Sequence, residues 1–170
     1  MRINQGRRIL VAPLFLLALV AARSAGAQKA PPARLAASIH RIFGSGASFD
    51  SVAVDSLHVL RVTQGDSLLG FAEVSNVKGK DQPITFLVAI DPSDHLKDVD
   101  VLVYREPYGG QVAYEQWRRQ FRGLTAADSV RVGHPIRSIS GATISVHAVT
   151  SGVRRVLAQL TDRHRRGLLQ

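Results

Sequence analysis

The feature of this sequence that most constrains its fold is a turn of small residues that leads into a long amphipathic helix. The turn is residues 140–145, SGATIS, and the apolar-periodic run 146–160 follows it directly. Gly141 tolerates backbone conformations that other residues resist, and a helix that begins here leaves free N–H groups in its first turn. Two interpretations are open: a Ser or Thr side chain caps an ordinary helix, or the hydroxyls and N–H groups hold a phosphate.

The centre of the chain is rich in predicted strands. Residues 84–90 are almost wholly apolar, which is typical of a strand covered on both faces. Apolar and β-branched residues that alternate with other residues predict further strands, and apolar residues at helical spacing predict helices. The strands are 52–54, 57–63, 68–74, 99–104 and 130–132, and the helices are 33–43, 114–121 and 145–164. We therefore expect an α+β fold, a single domain whose twisted, mostly antiparallel sheet is joined by an N-terminal helix and by a C-terminal helix that follows the SGAT turn.

The first 27 residues have the composition of a signal peptide. Three arginines, Arg2, Arg7 and Arg8, precede an apolar run over 9–22, and residues 25–27, AGA, form a small-x-small cleavage site. The apolar run is too short for a comfortable membrane span, and an uncleaved anchor is the alternative interpretation. We expect an exported protein, periplasmic or otherwise extracytoplasmic, that works at or near a membrane.

Composition limits the chemistry available to the mature chain. The sequence has no cysteine, which excludes disulfides, thiolate metal sites and iron–sulfur clusters. Its histidines lack metal-ligand spacing, so we predict no metal site. Beyond residue 27 the chain has 18 basic and 13 acidic residues, a net charge of +5. This moderate charge, without interleaved aromatic residues, does not predict nucleic-acid binding, and any redox chemistry would need a bound cofactor.

The SGATIS turn resembles the S/T-G-A-T-x-S/T signature of the FMN-binding domain family. The resemblance implies that Thr143 carries FMN through a phosphoester bond, with Ser140, Gly141, Ala142 and Ser145 forming the rest of the attachment turn. It also implies an extracytoplasmic flavin transferase that uses FAD as donor, and membrane or periplasmic redox proteins as partners. Such an electron carrier need not turn over a substrate of its own, so whether the chain is an enzyme stays open.

A second motif, residues 105–110 or REPYGG, resembles a variant of the family's E-T-P-G-x-G loop. The resemblance implies that Glu106, Tyr108 and Gly109 lie near the flavin. Glu106 would either accept hydrogen bonds from loop amides or accept one from a flavin ring N–H. Tyr108 would either stack on the isoalloxazine ring or pack as a turn residue, because aromatic side chains do both.

One position departs from the family's pattern. Family members usually have an acidic residue three positions before the Ser/Thr of the signature, where this chain has Arg137. A basic side chain there could instead pair with the flavin phosphate. We therefore include Arg137 among the predicted cofactor-binding residues.

The predicted organisation has four parts. These are a signal peptide over 1–27, a linker and N-terminal helix over 28–47, an FMN-binding domain over 48–164 and a basic tail over 165–170. The predicted function is an exported electron-transfer flavoprotein. Two alternatives are a non-redox secreted binding domain that keeps the fold without flavin, and a hydrolase using Ser140 or Ser145 with a distant histidine. The hydrolase has little support, because no G-x-S-x-G elbow is present.

Overall fold

The computed structural model describes residues 30–55 and 57–169, so the predicted signal peptide lies outside the described residues. Its centre is a five-stranded antiparallel sheet in which each strand pairs with the next one along the chain. The strands are β1 Ser48–Val54, β2 Leu57–Gln64, β3 Ser67–Lys78, β4 Pro83–Ile90 and β5 Leu96–Val103. The predicted antiparallel sheet is confirmed.

Helices cover both faces of this sheet. α1 Pro32–Phe43 packs on one face and α3 Thr143–Arg165 packs on the other, which confirms the α+β prediction. The connection between β5 and α3 contains only short elements. They are a 3₁₀ helix Gly110–Ala113, α2 Glu115–Arg118, a 3₁₀ helix Arg119–Phe121, β6 Arg131–Val132 and β7 Pro135–Ile136.

The prediction of a helix over 114–121 is right only in part. Residues 115–118 form one α-helical turn, α2, and residues 119–121 continue as a 3₁₀ helix. Contacts with distant parts of the chain hold this segment: Trp117 Nε1 donates to Arg137 O at 2.8 Å, and Arg118 Nη1 donates to Val99 O. A helix this short has little stability of its own, so tertiary contacts decide its shape.

β4 is the centre of two hydrophobic cores. Phe86 and Val88 pack in the core beneath α3, and Leu87 and Ala89 pack in the core beneath α1. The predicted strand covered on both faces is therefore confirmed. The predicted apolar face of the last helix is also buried, and it consists of Val149, Val153, Val156, Leu157 and Leu160.

α3 lies unusually close to the sheet at Gly152. A Cβ atom on Gly152 would lie 2.6 Å from both Phe86 Cζ and Val77 Cγ1, so only glycine permits this approach. After α3, the buried side chain of Leu169 packs in the same core. Within residues 30–55 and 57–169, no helix is both long and apolar enough to cross a membrane.

Ion pairs join the helices to β5. The carboxylates of Asp98 and Asp100 are buried, and Arg41 of α1 contacts Asp98 at 2.7 Å. Arg122 also contacts Asp98 at 3.0 Å, and Arg118 contacts Asp100 at 3.4 Å. Burial acts to raise the pKa of Asp98, but hydrogen bonds from Arg122 and Arg41 outweigh burial and lower that pKa below its usual value.

Glu73 is a buried carboxyl on the face of β3 that packs against α3. Its Oε2 atom has no hydrogen-bond partner among the described residues. Burial raises the pKa of Glu73 to about 7 from 4.5, although the positive charges of Arg163 and Arg155 act in the opposite direction. Between these two pH values the folded protein binds a proton that the unfolded chain releases, so this group favours folding less as the pH rises.

We expect Glu73→Gln to remove this pH dependence. The two pKa values differ by about 2.5 units, so wild-type stability relative to the variant should fall by about 3 kcal/mol between pH 4.5 and pH 7. Urea unfolding of both proteins at pH 4.5, 6 and 8 measures this change. Asp66→Asn, an exposed turn substitution, is the control. If the difference in free energy of unfolding between wild type and Glu73→Gln stays constant with pH, the prediction is contradicted.

Candidate functional site

Thr143 is the first residue of α3, and its side chain is exposed. The residue before it, Ala142, occupies the N-cap position and is buried, while Gly141 has a positive φ of 79°. Within the described part of the chain, no side chain caps this helix. The interpretation of an ordinary Ser/Thr N-cap is therefore wrong, because the residue that occupies the cap position has no side-chain acceptor.

The uncapped helix leaves three backbone donors free. Ala142 N–H donates to Ile139 O at 3.1 Å and Val146 N–H donates to Ala142 O at 2.9 Å. Among the described residues, no acceptor takes the N–H groups of Thr143, Ile144 or Ser145. These donors and the positive end of the helix dipole suit a bound phosphate beside the Thr143 hydroxyl.

Tyr104 joins the REPYGG loop to the first turn of α3. Its hydroxyl donates to Tyr108 O and lies 2.8 Å from Ser145 Oγ. Because a tyrosine hydroxyl has one proton, Ser145 donates to Tyr104. A Cβ atom on Gly109 would lie 2.7 Å from both hydroxyl oxygens, and Gly109 has a φ of 89°. Glycine is therefore required at 109, and Ser145 holds the loop in place.

Glu106 accepts hydrogen bonds from the turn between β3 and β4. Its Oε1 atom accepts from Gln82 N at 3.0 Å and from Asp81 N at 2.7 Å. These hydrogen bonds, led by that from Gln82, lower the pKa of Glu106. Of the two predicted roles for Glu106, the structure shows the bond to loop amides. This contact brings the β3–β4 turn, with Lys80, next to the REPYGG loop.

Thr143 lies in a cleft of about 330 Å³ between these two loops and α3. The side chain of Tyr108 is 81% exposed on the wall of this cleft, so Tyr108 does not pack as a turn residue and its ring is free to stack on a ligand. The lining residues are Lys80, Glu106, Pro107, Tyr108, Gly141, Ala142, Thr143, Ile144 and Ser145. Most of the predicted site residues therefore lie together.

A second cleft of about 430 Å³ begins on the other side of Tyr108. It includes Gly109, a predicted site residue, and it shares Pro107, Tyr108 and Gly141 with the Thr143 cleft. The two clefts thus form one groove, and Tyr108 lines both parts of it.

Two predicted residues lie outside this groove. Ser140 is exposed and lines none of the clefts, and Arg137 lines a third cleft of about 670 Å³. The predicted pairing of Arg137 with a phosphate at Thr143 has no support from this geometry. The cation that shares a cleft with Thr143 is Lys80, which the sequence analysis missed because no local motif marks it.

Comparisons with known proteins agree with the resemblance to the FMN-binding domain family and with the fold. Residues 79–158 match the sequence model of the FMN-binding domain family. The chain is 27% identical over 105 residues to a subunit of the proton-translocating ferredoxin:NAD(+) oxidoreductase complex of Clostridium ljungdahlii, covering 58% of this chain and 57% of the relative. The chain therefore spans a little over half the length of this curated relative.

The fold is also that of a solved protein. The crystal structure of Shewanella oneidensis NqrC matches with a TM-score of 0.54 at 18% identity, covering 73% of this chain and 69% of that one. The family match begins at Gly79, in the turn held by Glu106, and it includes the REPYGG loop and the SGATIS turn. Residues 79–158 of this chain, which contain both motifs, therefore match the FMN-binding domain family.

Proposed function

We propose that this protein is an exported electron-transfer flavoprotein that carries FMN covalently through a phosphoester bond to Thr143. The observation that carries the proposal is the exposed Thr143 at the uncapped start of α3, inside the segment that matches the family. When bound, FMN supplies one- and two-electron chemistry, and the protein supplies its position and electrostatic surroundings. Redox proteins of a membrane or of the periplasm are the proposed partners.

The residues of the groove fit this cofactor. A phosphodiester on the Thr143 side chain keeps one negative charge, which the free N–H groups of the first turn and the ammonium of Lys80 favour. Beyond the phosphate, the exposed ring of Tyr108 offers a stacking face. Gly109 and Gly110 line the groove beside it, so a planar ring there would face backbone atoms.

Attachment is proposed to require a partner enzyme. The Thr143 hydroxyl oxygen would bond to the flavin-side phosphorus of FAD, AMP would leave, and the hydroxyl proton would pass to a base of an extracytoplasmic flavin transferase. The exposed position of Thr143 allows such an enzyme to reach it. The accompanying organisation is a cleaved signal peptide over 1–27, a flavin domain over 48–164 and a basic end over 165–170.

Intact mass of the exported protein tests this function. The protein is produced with and without a flavin transferase in the exporting host, and each sample is denatured before measurement so that only covalent flavin remains. We expect a chain that begins after residue 27 and that gains the mass of FMN less one water only when the transferase is present. An unmodified mass, in a host that flavinylates a control protein, rejects covalent attachment and favours the non-redox binding domain if native protein also holds no flavin.

Lys80 is expected to contribute to phosphate recognition. In protein made without the transferase, Lys80→Ala should weaken FMN binding about fivefold and leave riboflavin binding unchanged, because riboflavin lacks the phosphate. Flavin fluorescence titrations measure both affinities. Arg154→Ala is the control, since Arg154 is exposed on α3 and lines neither the Thr143 cleft nor the cleft that contains Arg137. An equal loss in the two variants would show that long-range charge, and not a contact in the Thr143 cleft, favours FMN.

A further inference from the structure

We propose that the cleft of about 670 Å³ is a second binding site, for a ligand in which a phosphate is joined to an aromatic base, as in a nucleotide. Its volume is within the range of small-molecule sites. The cleft shares no lining residue with the Thr143 cleft. It is lined by Gln111, Tyr114, Gln116, Trp117, Arg119, Gln120, Pro135, Arg137 and Ile139.

The charge of this cleft favours an anion. Two arginines line it and no carboxylate does. Neither the Arg119 nor the Arg137 side chain contacts a hydrogen-bonding or ion-pairing partner among the described residues. Glu115, the adjacent acid in the sequence, pairs instead with Arg122 at 2.8 Å. Two uncompensated guanidinium groups in one concave surface are a suitable environment for phosphate.

The wall that carries Arg137 is held in place before any ligand arrives. Arg137 N–H donates to Gln120 Oε1 at 2.9 Å, and Arg137 O accepts from Trp117 Nε1 at 2.8 Å. Trp117 in turn packs edge-on against the buried ring of Phe121, with centroids 5.2 Å apart. The backbone of this wall is therefore fixed before binding, which reduces the entropic cost of binding.

The remaining lining residues favour an aromatic base over a bare anion. Tyr114 is 65% exposed at the cleft and presents an unpacked ring for stacking. The exposed amides of Gln111 and Gln116 provide both donors and acceptors for the polar edge of a heterocycle. A simple phosphate would use the arginines and leave these groups without a role.

Trp117 provides a direct measurement. It is the single tryptophan of the sequence and it lines the cleft, so its fluorescence reports occupancy. Wild-type protein made without the transferase is titrated with AMP, adenosine and inorganic phosphate. We expect AMP to bind about tenfold more tightly than adenosine or phosphate, and Arg119→Gln and Arg137→Gln each to weaken AMP about fivefold or more. Arg154→Gln, an exposed arginine of α3, should bind AMP like wild type.

Three outcomes overturn the proposal. The first is AMP binding no tighter than adenosine or phosphate, and the second is AMP binding that is insensitive to both arginine substitutions. The third is no fluorescence response together with no AMP bound in equilibrium dialysis. The protein used in this test carries no FMN on Thr143, so the result does not depend on covalent flavinylation. The two proposals are therefore tested independently.

Discussion

Thr143→Ala is expected to abolish covalent flavinylation while leaving the fold intact. The variant lacks the oxygen to which the phosphorus would bond, so the denatured protein should show no added mass at all. Thr143 is exposed and is not the N-cap residue, and alanine is a good helix former. The free energy of unfolding should therefore change by less than about 0.5 kcal/mol. Intact mass and urea unfolding of the same preparation measure both effects.

Two further substitutions make this result specific. Ser140→Ala should keep full flavinylation, because Ser140 lines none of the clefts. Ser145→Ala removes the hydrogen bond to Tyr104, so it should lose about 1 kcal/mol of stability and still be modified at Thr143. Covalent flavin that persists in Thr143→Ala and disappears in Ser140→Ala would move the attachment residue to position 140 and contradict our assignment.

The largest loss of stability is expected for Arg118→Met. Arg118 is 6% exposed, and its guanidinium contacts Val99 O, Ala113 O and the carboxylate of Asp100. Methionine preserves much of the side-chain volume but removes the positive charge beside two buried carboxylates, those of Asp100 at 3.4 Å and Asp98 at 3.8 Å. Breaking a buried pair from one side costs about 3–5 kcal/mol. Urea unfolding at pH 7 measures the loss.

Arg34→Met is the matched control for Arg118→Met. Arg34 contacts the same carboxylate, that of Asp100 at 3.3 Å, but its side chain is 46% exposed. A guanidinium that is this exposed is screened by solvent, and its pair contributes about 1 kcal/mol or less. Arg34→Met should therefore be close to wild type. If Arg34→Met and Arg118→Met lose equal stability, burial of Arg118 is not what makes its contacts strong.

Much of the fold was predictable because its signals are local. The apolar run 84–90 became β4, with both faces buried, and the apolar face of residues 145–164 became the buried face of α3. In segment 114–121 the helical spacing of Trp117 and Phe121 correctly placed both rings in the core, but it did not reveal the change from α-helical to 3₁₀ geometry after Arg118. A helix this short has little stability of its own, so its tertiary contacts decide its geometry.

The residues of the candidate site likewise fall into two groups, those that a local motif predicts and those that only the tertiary structure reveals. Thr143, Glu106 and Tyr108 were found because each lies in a motif of a few consecutive residues. Lys80 and Tyr104 were not identified as site residues, because their place depends on which strands pair and where the loops between them meet. Arg137 was assigned to the phosphate because it lies three positions before Ser140, where the family usually has an acid, and the structure places it in a separate cleft.

The sequence by itself determined the elements that local forces specify: a glycine-containing turn, an apolar helix behind it, and strands whose alternation matches a buried sheet. Only the tertiary structure decided which side chains share a cleft. Glu106 reaches the amides of residues that lie 24 and 25 positions earlier, and Tyr104 contacts Ser145 across 41 positions. Such contacts depend on strand register and on the close approach of α3 at Gly152, and neither is encoded within a short stretch of chain.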